Sequence, residues 1–265
     1  MVGTTDEGIV SLQIQMLKIM KLHPLFLAIA LPFLASCTTS SSQQKTAAET
    51  AADTSVYGRV TATRDGIGKT YYGREIAHVM GFGGASWLER DERQEEENTA
   101  LAISKLPIKA SSVVADIGAG TGYYTFRIAP KVPQGKVFAV DVQDESVQFL
   151  RKKAGQLGLK NVEVVKGDAK SPNLPDASVD LAIMVDVYHE LEYPHEMLQN
   201  LRKVLKADGK ILLLEYRKED PSIPIKELHK LSVAQANKEM AASGFRLIQR
   251  GDFLPIQHFL LYQKE

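Results

Sequence analysis

Between residues 112 and 216 the hydrophobic positions fall into short unbroken runs, separated by stretches where charged residues alternate with spaced apolar ones. The runs at 112–117, 136–142, 161–166, 179–185 and 209–216 are rich in Val, Ile and Leu. They show little two-residue alternation, as expected of strands covered on both faces. The stretches 123–131, 144–157 and 193–205 predict helices between them. Strand and helix in regular alternation predict a doubly wound α/β sheet. Gly135 and Gly209 stand just before their strands, and Asp144 and Ser146 are candidate caps for the second helix.

The pattern changes at both ends. After Tyr216, Ser232 is placed to cap a helix to about Ser243, Gly244 supplies a stop, and FRLIQRGDF and QHFLLYQK follow as two adjacent strands. A hairpin at the end of a parallel sheet implies one antiparallel strand, here the last of seven. Before the sheet, Ala100, Leu101, Ile103 and Leu106 follow a charged run and suit one helix from Arg93 to Leu106, ended by Pro107. Residues 57–97 are rich in Gly, Arg and aromatics but lack a clean period, and are read as an N-terminal cap or lid. There Arg64, Tyr72, Arg74, Trp87 and Arg90 either close over a substrate or pack as surface with solvated charges.

The first residues are different in kind. Lys18 and Lys21 precede an apolar run, Leu25 to Leu34, of signal-peptide length and too short to span a bilayer. It ends in Leu34, Ala35, Ser36 and Cys37, which resembles the lipobox of bacterial lipoproteins, with Cys37 as the acylated N-terminus. The expectation is a signal peptide over 1–36 and a lipid anchor on the periplasmic face of the outer membrane. Met20 is a second candidate start. Cys37 is the single cysteine, so no intramolecular disulfide competes for it. Residues 37–56, mostly Ser, Thr, Ala and Gln, read as a flexible tether. Lys plus Arg and Asp plus Glu number 32 each, so no net charge points to a nucleic-acid partner.

Candidate chemistry begins at VADIGAGTGYYT, Val114–Thr125, where a strand ends in a turn carrying Gly118, Gly120 and Gly122. Glycines there let a ligand approach bare backbone, and a nucleotide-type cofactor is the natural occupant. In an open parallel sheet the ligand lies beyond the carboxyl ends of the strands, and Asp116, Asp141, Asp168 and Asp186 all stand at such ends. Asp141, about twenty residues past the turn, is spaced to take both ribose hydroxyls, or else caps the next helix. Asp168 is placed for an adenine amino group, or else forms a turn beside Gly167. Asp116 would oppose a pyrophosphate but suits an ammonium and a sulfonium, and Tyr123 occupies the place of a dinucleotide fingerprint's third glycine.

Together VADIGAGTG, FAVD, GDA, LAIMVDVYHEL and LRKVLKADGKILLLEY resemble the class I S-adenosylmethionine-dependent methyltransferases over about residues 98–216. The resemblance implies a Rossmann-like methyltransferase fold and a domain over 98–265. It implies S-adenosylmethionine as cofactor, with Asp116 and the backbone of Gly118, Ala119, Gly120 and Gly122 on the methionine part. Asp141 would then hold the ribose, Asp168 and Ala169 the adenine, and Asp186 would open the loop facing the methyl. In that loop Tyr188, His189 and Glu190 are the catalytic candidates, with His189 as proton acceptor or substrate anchor and Glu190 orienting it. The acceptor is expected to be a small molecule. The alternative is a lipid-anchored binding protein without catalysis, since the cofactor is made in the cytoplasm. No clustered His and carboxylate at ligand spacing is visible along the chain, so no metal is expected.

Overall fold

The computed structural model describes residues 56–265, and the expected signal peptide, Cys37 and all but the last residue of the tether lie outside the described residues. The main sheet is built from β4 (Val113–Ile117), β5 (Lys136–Asp141), β6 (Val162–Lys166), β7 (Val179–Val185), β8 (Leu205–Arg217), β10 (Phe245–Gly251) and β11 (Gln257–Lys264). Its order is β10-β11-β8-β7-β4-β5-β6, with the two-residue β9 (Lys230–Leu231) pairing alongside β8. β4 pairs in parallel with both β5 and β7, while β11 runs antiparallel to its neighbours β8 and β10. The expected doubly wound, mostly parallel sheet of seven strands with an antiparallel last strand is therefore the observed one.

This order has a functional consequence. From β4 the chain first winds outward through β5 and β6, then returns to build β7 and β8 on the other side. The direction of winding reverses at β4, which opens a crevice at its carboxyl end between the turns leaving β5 and β7. Both faces of the sheet are covered. Leu213 joins a core with Leu198, Leu201, Met240 and Tyr262, while its neighbours Leu212 and Leu214 join Ile103, Ile128, Val114 and Phe259 on the opposite face. Truncating any one of these buried leucines to Ala costs about 2–5 kcal/mol.

The helix ends follow local chemistry. Ser232 caps the helix Val233–Ala242 by accepting from the Gln235 amide at 3.1 Å, and Gly244 leaves it at φ 74°. The single helix expected over 93–106 is two, Arg93–Glu97 and Thr99–Ser104, because Asn98 takes φ 52° and its side chain caps the second. The break leaves Glu97 fully buried, accepting from Arg90, Arg93 and the Tyr216 hydroxyl. A continuous helix would not aim that carboxylate at three donors.

The cap contains order that the sequence pattern hides. β1 (Tyr57–Arg59), β2 (Gly66–Tyr71) and β3 (Arg74–Ala77) form a separate antiparallel sheet. The strands are short and the β2–β3 register shifts between Gly66 and Thr70, so no alternation survives to be read. Arg74 ties this sheet to the main fold through a bidentate pair with Glu239, at 2.7 and 2.8 Å. Both partners are almost wholly buried, so neither can lose the other without leaving a charge stranded.

Candidate active site

Two cavities open on the crevice side. The first, of about 220 Å³, is lined by the residues that leave four successive strands, among them Gly118 and Gly120, Asp141, Asp168 and Ala169, and Asp186. The second, of about 660 Å³, lies against the small sheet and is lined by Tyr57, Lys69, Glu192 and Tyr193. Val79, Glu190 and Glu192 line both. Asp141, Asp168, Asp186, Glu190 and Glu192 put five carboxylates in the wall of the first cavity, and no Lys or Arg lines it.

The turn after β4 is shaped to bring backbone to that wall. Gly118 and Gly120 have φ of 71° and 55°, where side chains are strained, and a Cβ on either would come within 2.7–2.8 Å of Val187 or Leu88. Asp141 fixes the turn by accepting from the Gly120 amide, and from the Gln143 amide with its other oxygen, each at 2.8 Å. Each oxygen has used one lone pair, which leaves one apiece for a vicinal diol. That donor and acceptor set fits a ribose. Asp168 is exposed and its Oδ1 accepts from the Lys170 and Ser171 amides, so it forms the turn and lines the cavity at once.

Several expected contacts fall elsewhere. Asp116 does not line the cavity: it is buried within the sheet, where its Oδ2 accepts from the Thr125 hydroxyl at 2.6 Å. Burial pushes its carboxyl up to about 6, against the pull of the Thr125 hydroxyl and amide. Its place is behind the glycine turn as a brace, which corrects the expectation of a direct ligand contact. Gly122 and Ala119 also stay off the wall; Gly122 packs under Phe126, where a Cβ would collide at 2.2 Å. Asp186 does line it, at φ 54°, with its carboxylate held by the Gln257 amide group at 2.8 and 3.0 Å. Burial, with the nearby Glu97 and Glu215 carboxylates, holds Asp186 well above the usual carboxylate range.

Of the catalytic candidates only Glu190 reaches a cavity. Tyr188 is fully buried, its hydroxyl is pushed well above the ordinary tyrosine value by that burial, and its ring lies under the Arg74 guanidinium at 5.6 Å. It is a core residue. His189 is 1% exposed and sits behind the wall, with Nδ1 at 2.6 Å from Glu215 Oε2 and Nε2 at 3.1 Å from His229 Nδ1. Neither Glu215 nor His229 was singled out in the sequence, because one looks like a strand residue and the other lies 40 residues from its partner. His189, Glu190 and His229 nevertheless converge as a group with metal-ligand geometry, against the expectation from spacing along the chain.

The lid is also built from other residues than those expected. Arg74 is paired with Glu239, Arg90 with Glu96 and Glu97, and Trp87 is 44% exposed under the Arg90 guanidinium. None of these, nor Arg64 or Tyr72, lines either cavity. The wall is instead apolar: Val79, Met80, Phe82, Ala85 and Leu88, held in place by Gln143, which accepts from the Phe82 amide and donates to the Met80 carbonyl.

A family model described as a methyltransferase domain matches residues 108–259. The chain is 32% identical over 137 residues to an uncharacterized methyltransferase of Bacillus subtilis, YcgJ, covering 51% of this chain and 53% of that one. It is 29% identical over 120 residues to the ubiquinone/menaquinone biosynthesis C-methyltransferase UbiE of Pseudomonas fluorescens, covering 44% and 47%. The chain thus spans about half the length of the curated relatives it matches. Among solved structures, a SAM-dependent methyltransferase from Aquifex aeolicus superposes with a TM-score of 0.67 at 26% identity, covering 71% of this chain and all of that one.

Proposed function

Because the chain belongs to the methyltransferase-domain family, within the class I S-adenosylmethionine-dependent superfamily, we propose that it transfers a methyl group to a small-molecule acceptor held in the second cavity. The observation that supports this reading most is the wall of the first cavity, with four acidic side chains besides Asp186, whose charge burial disfavours, and no basic residue. Such a wall favours a cation and repels a pyrophosphate, which sets it apart from a dinucleotide site on the same fold. When bound, S-adenosylmethionine supplies a methyl group already activated on a sulfonium.

The chain's own residues then have three tasks. Asp141 takes the ribose hydroxyls with its remaining lone pairs, Asp168 and Ala169 border the adenine, and the Gly118–Gly120 backbone borders the methionine part. The apolar wall from Val79 to Leu88 excludes water, which strengthens each electrostatic contact inside. Glu190, shared by the two cavities, faces the acceptor and is placed to take a proton where the acceptor carries one. His189 acts through it, as a positioning residue in the wall behind.

The reading is tested by incubating the full chain with methyl-labelled S-adenosylmethionine and a small-molecule extract of the cell envelope. Label carried into an extract compound supports it. Cofactor binding without any transfer of label would leave the non-catalytic binding protein as the better account. The anchor at Cys37 is proposed on the order of basic flank, apolar core, small residues and cysteine. Cys37→Ala should release the protein from envelope membranes, and unchanged fractionation would remove that part.

A further inference from the structure

We propose that His189, Glu190 and His229 bind a divalent transition-metal ion just behind the wall that Glu190 contributes to both cavities. The three ligand atoms form a compact triangle: His189 Nε2 to His229 Nδ1 is 3.1 Å, His229 Nδ1 to Glu190 Oε1 is 3.3 Å, and His189 Nε2 to Glu190 Oε1 is 3.8 Å. The circle through three atoms so spaced has a radius of about 2.0 Å, so an ion slightly off their plane lies about 2.1 Å from all of them. That is the bond length imidazole nitrogen and carboxylate oxygen make to such ions. The three atoms already stand at these separations, and His229 Nδ1 becomes a ligand by passing the proton it shares with His189 Nε2 to its own Nε2.

The surroundings prepare the ligands. Where the Glu215 carboxylate accepts in its 2.6 Å bond to His189, the proton belongs to His189 Nδ1 and Nε2 carries the lone pair. The other Glu215 oxygen accepts from the Tyr188 amide at 2.8 Å, which fixes the carboxylate itself. A carboxylate that orients a histidine from behind is the usual outer support of a metal ligand. Glu190 is held in turn by the Met80 amide on its second oxygen, at 3.2 Å.

Charge points the same way. Two carboxylates meet two imidazoles here, and the neighbouring guanidinium of Arg74 is committed to Glu239, giving His189 only a bond to its backbone carbonyl. A dication supplies the missing balance. Two imidazoles and one carboxylate select zinc, iron or manganese over magnesium or calcium, whose ligands are oxygens. The His229 side chain is 20% exposed and that of Glu190 12%, which leaves an entry path from solvent. The site does not depend on the methyl-transfer reading; with an ion bound, Glu190 Oε1 is a ligand, and Glu190 takes a proton through that oxygen only in the metal-free protein.

The test uses the full chain, stripped of metal and titrated with Zn²⁺ by calorimetry and with Co²⁺ by visible absorption. One equivalent should bind, and the cobalt protein should show ligand-field bands of low coordination number. His229→Ala should weaken binding by about a hundredfold or more, and Glu215→Gln by about 10–100-fold, the effect expected of an outer-support residue. Should His229→Ala fail to fold, Glu190→Gln replaces a ligand at nearly constant volume and should give the same loss. S-adenosylmethionine titrated into His229→Ala and Glu215→Gln, neither of which lines a cavity, reports separately on the cofactor end, so loss of metal with retained cofactor binding in these supports the site. Absence of saturable binding by the wild type, or unchanged affinity in folded variants lacking a ligand, would overturn it and leave a hydrogen-bonded relay.

Discussion

The two walls of the crevice are assembled over very different distances along the chain. On the cofactor side Gly120 reaches Asp141 across 21 residues, and the remaining groups leave consecutive strands. Behind the opposite side, in groups that support the wall without lining it, Arg74 meets Glu239 across 165 residues, Tyr216 meets Glu97 across 119, and His189 meets His229 across 40. The first wall is mainly a set of strand ends, positioned by the main sheet. The second exists only when buried ion pairs close between distant segments, so its geometry and the stability of the whole are tied together.

Breaking the long-range wall should have the largest effect. Glu239→Ala strands Arg74 in a buried site and should cost about 3–5 kcal/mol in a urea denaturation series. In the folded fraction, affinity for S-adenosylmethionine should hold within about threefold, well under 1 kcal/mol. A loss of stability below about 1 kcal/mol would mean that the pair is solvated and the two walls are less different than described.

Asp141→Ala makes the complementary cut. In the proposed binding mode it removes a charged acceptor from both ribose hydroxyls, each such bond contributing about 1.5–3 kcal/mol, so cofactor affinity should fall by at least about a hundredfold. Calorimetry measures the affinity, and thermal unfolding should show a smaller loss, of about 1–3 kcal/mol, from the orphaned Gly120 and Gln143 amides. Unchanged affinity would place the ribose elsewhere.

Asp116 offers a pH-dependent test. Its folded value lies near 6, above the 3.8 of the free side chain, so between those values the folded chain keeps a proton that the unfolded chain has released. Stability should therefore fall as pH rises through that window, by about 3 kcal/mol, and stay low above it. Asp116→Asn still accepts the Thr125 hydroxyl but carries no charge, so it should remove this slope and stabilise the protein at pH 7.5. A wild-type stability that rises over the same window and is unchanged by the substitution would mean that the carboxylate is solvated. The smallest effect is expected at Trp87, where Trp87→Ala loses an exposed stack on Arg90 worth about 0.5–1 kcal/mol and leaves cofactor affinity unchanged.

The same contrast explains what could be read in advance. The sheet and its winding were legible because each strand is a contiguous run of Val, Ile and Leu, and the cofactor side because Gly118, Gly120 and Asp141 sit at spacings that backbone geometry sets. The break at Asn98 was not, since an amphipathic pattern continues across it and only the buried demand of Glu97 requires the kink. Asp116 was misplaced for a related reason: a strand-end carboxylate looks the same in sequence whether it faces the crevice or its own turn. Glu215 and His229 gave no local signal, because their meaning arises only where β8 and the segment before β9 bring them beside His189.

The central claim is that the crevice is an anionic cradle for a cationic methyl donor. It is tested most directly by calorimetric titration of the full chain with S-adenosylmethionine and, separately, with NAD. Saturable binding of S-adenosylmethionine at least about tenfold tighter than that of NAD, a margin of about 1.4 kcal/mol, is the predicted result. Equal or tighter binding of NAD would contradict it.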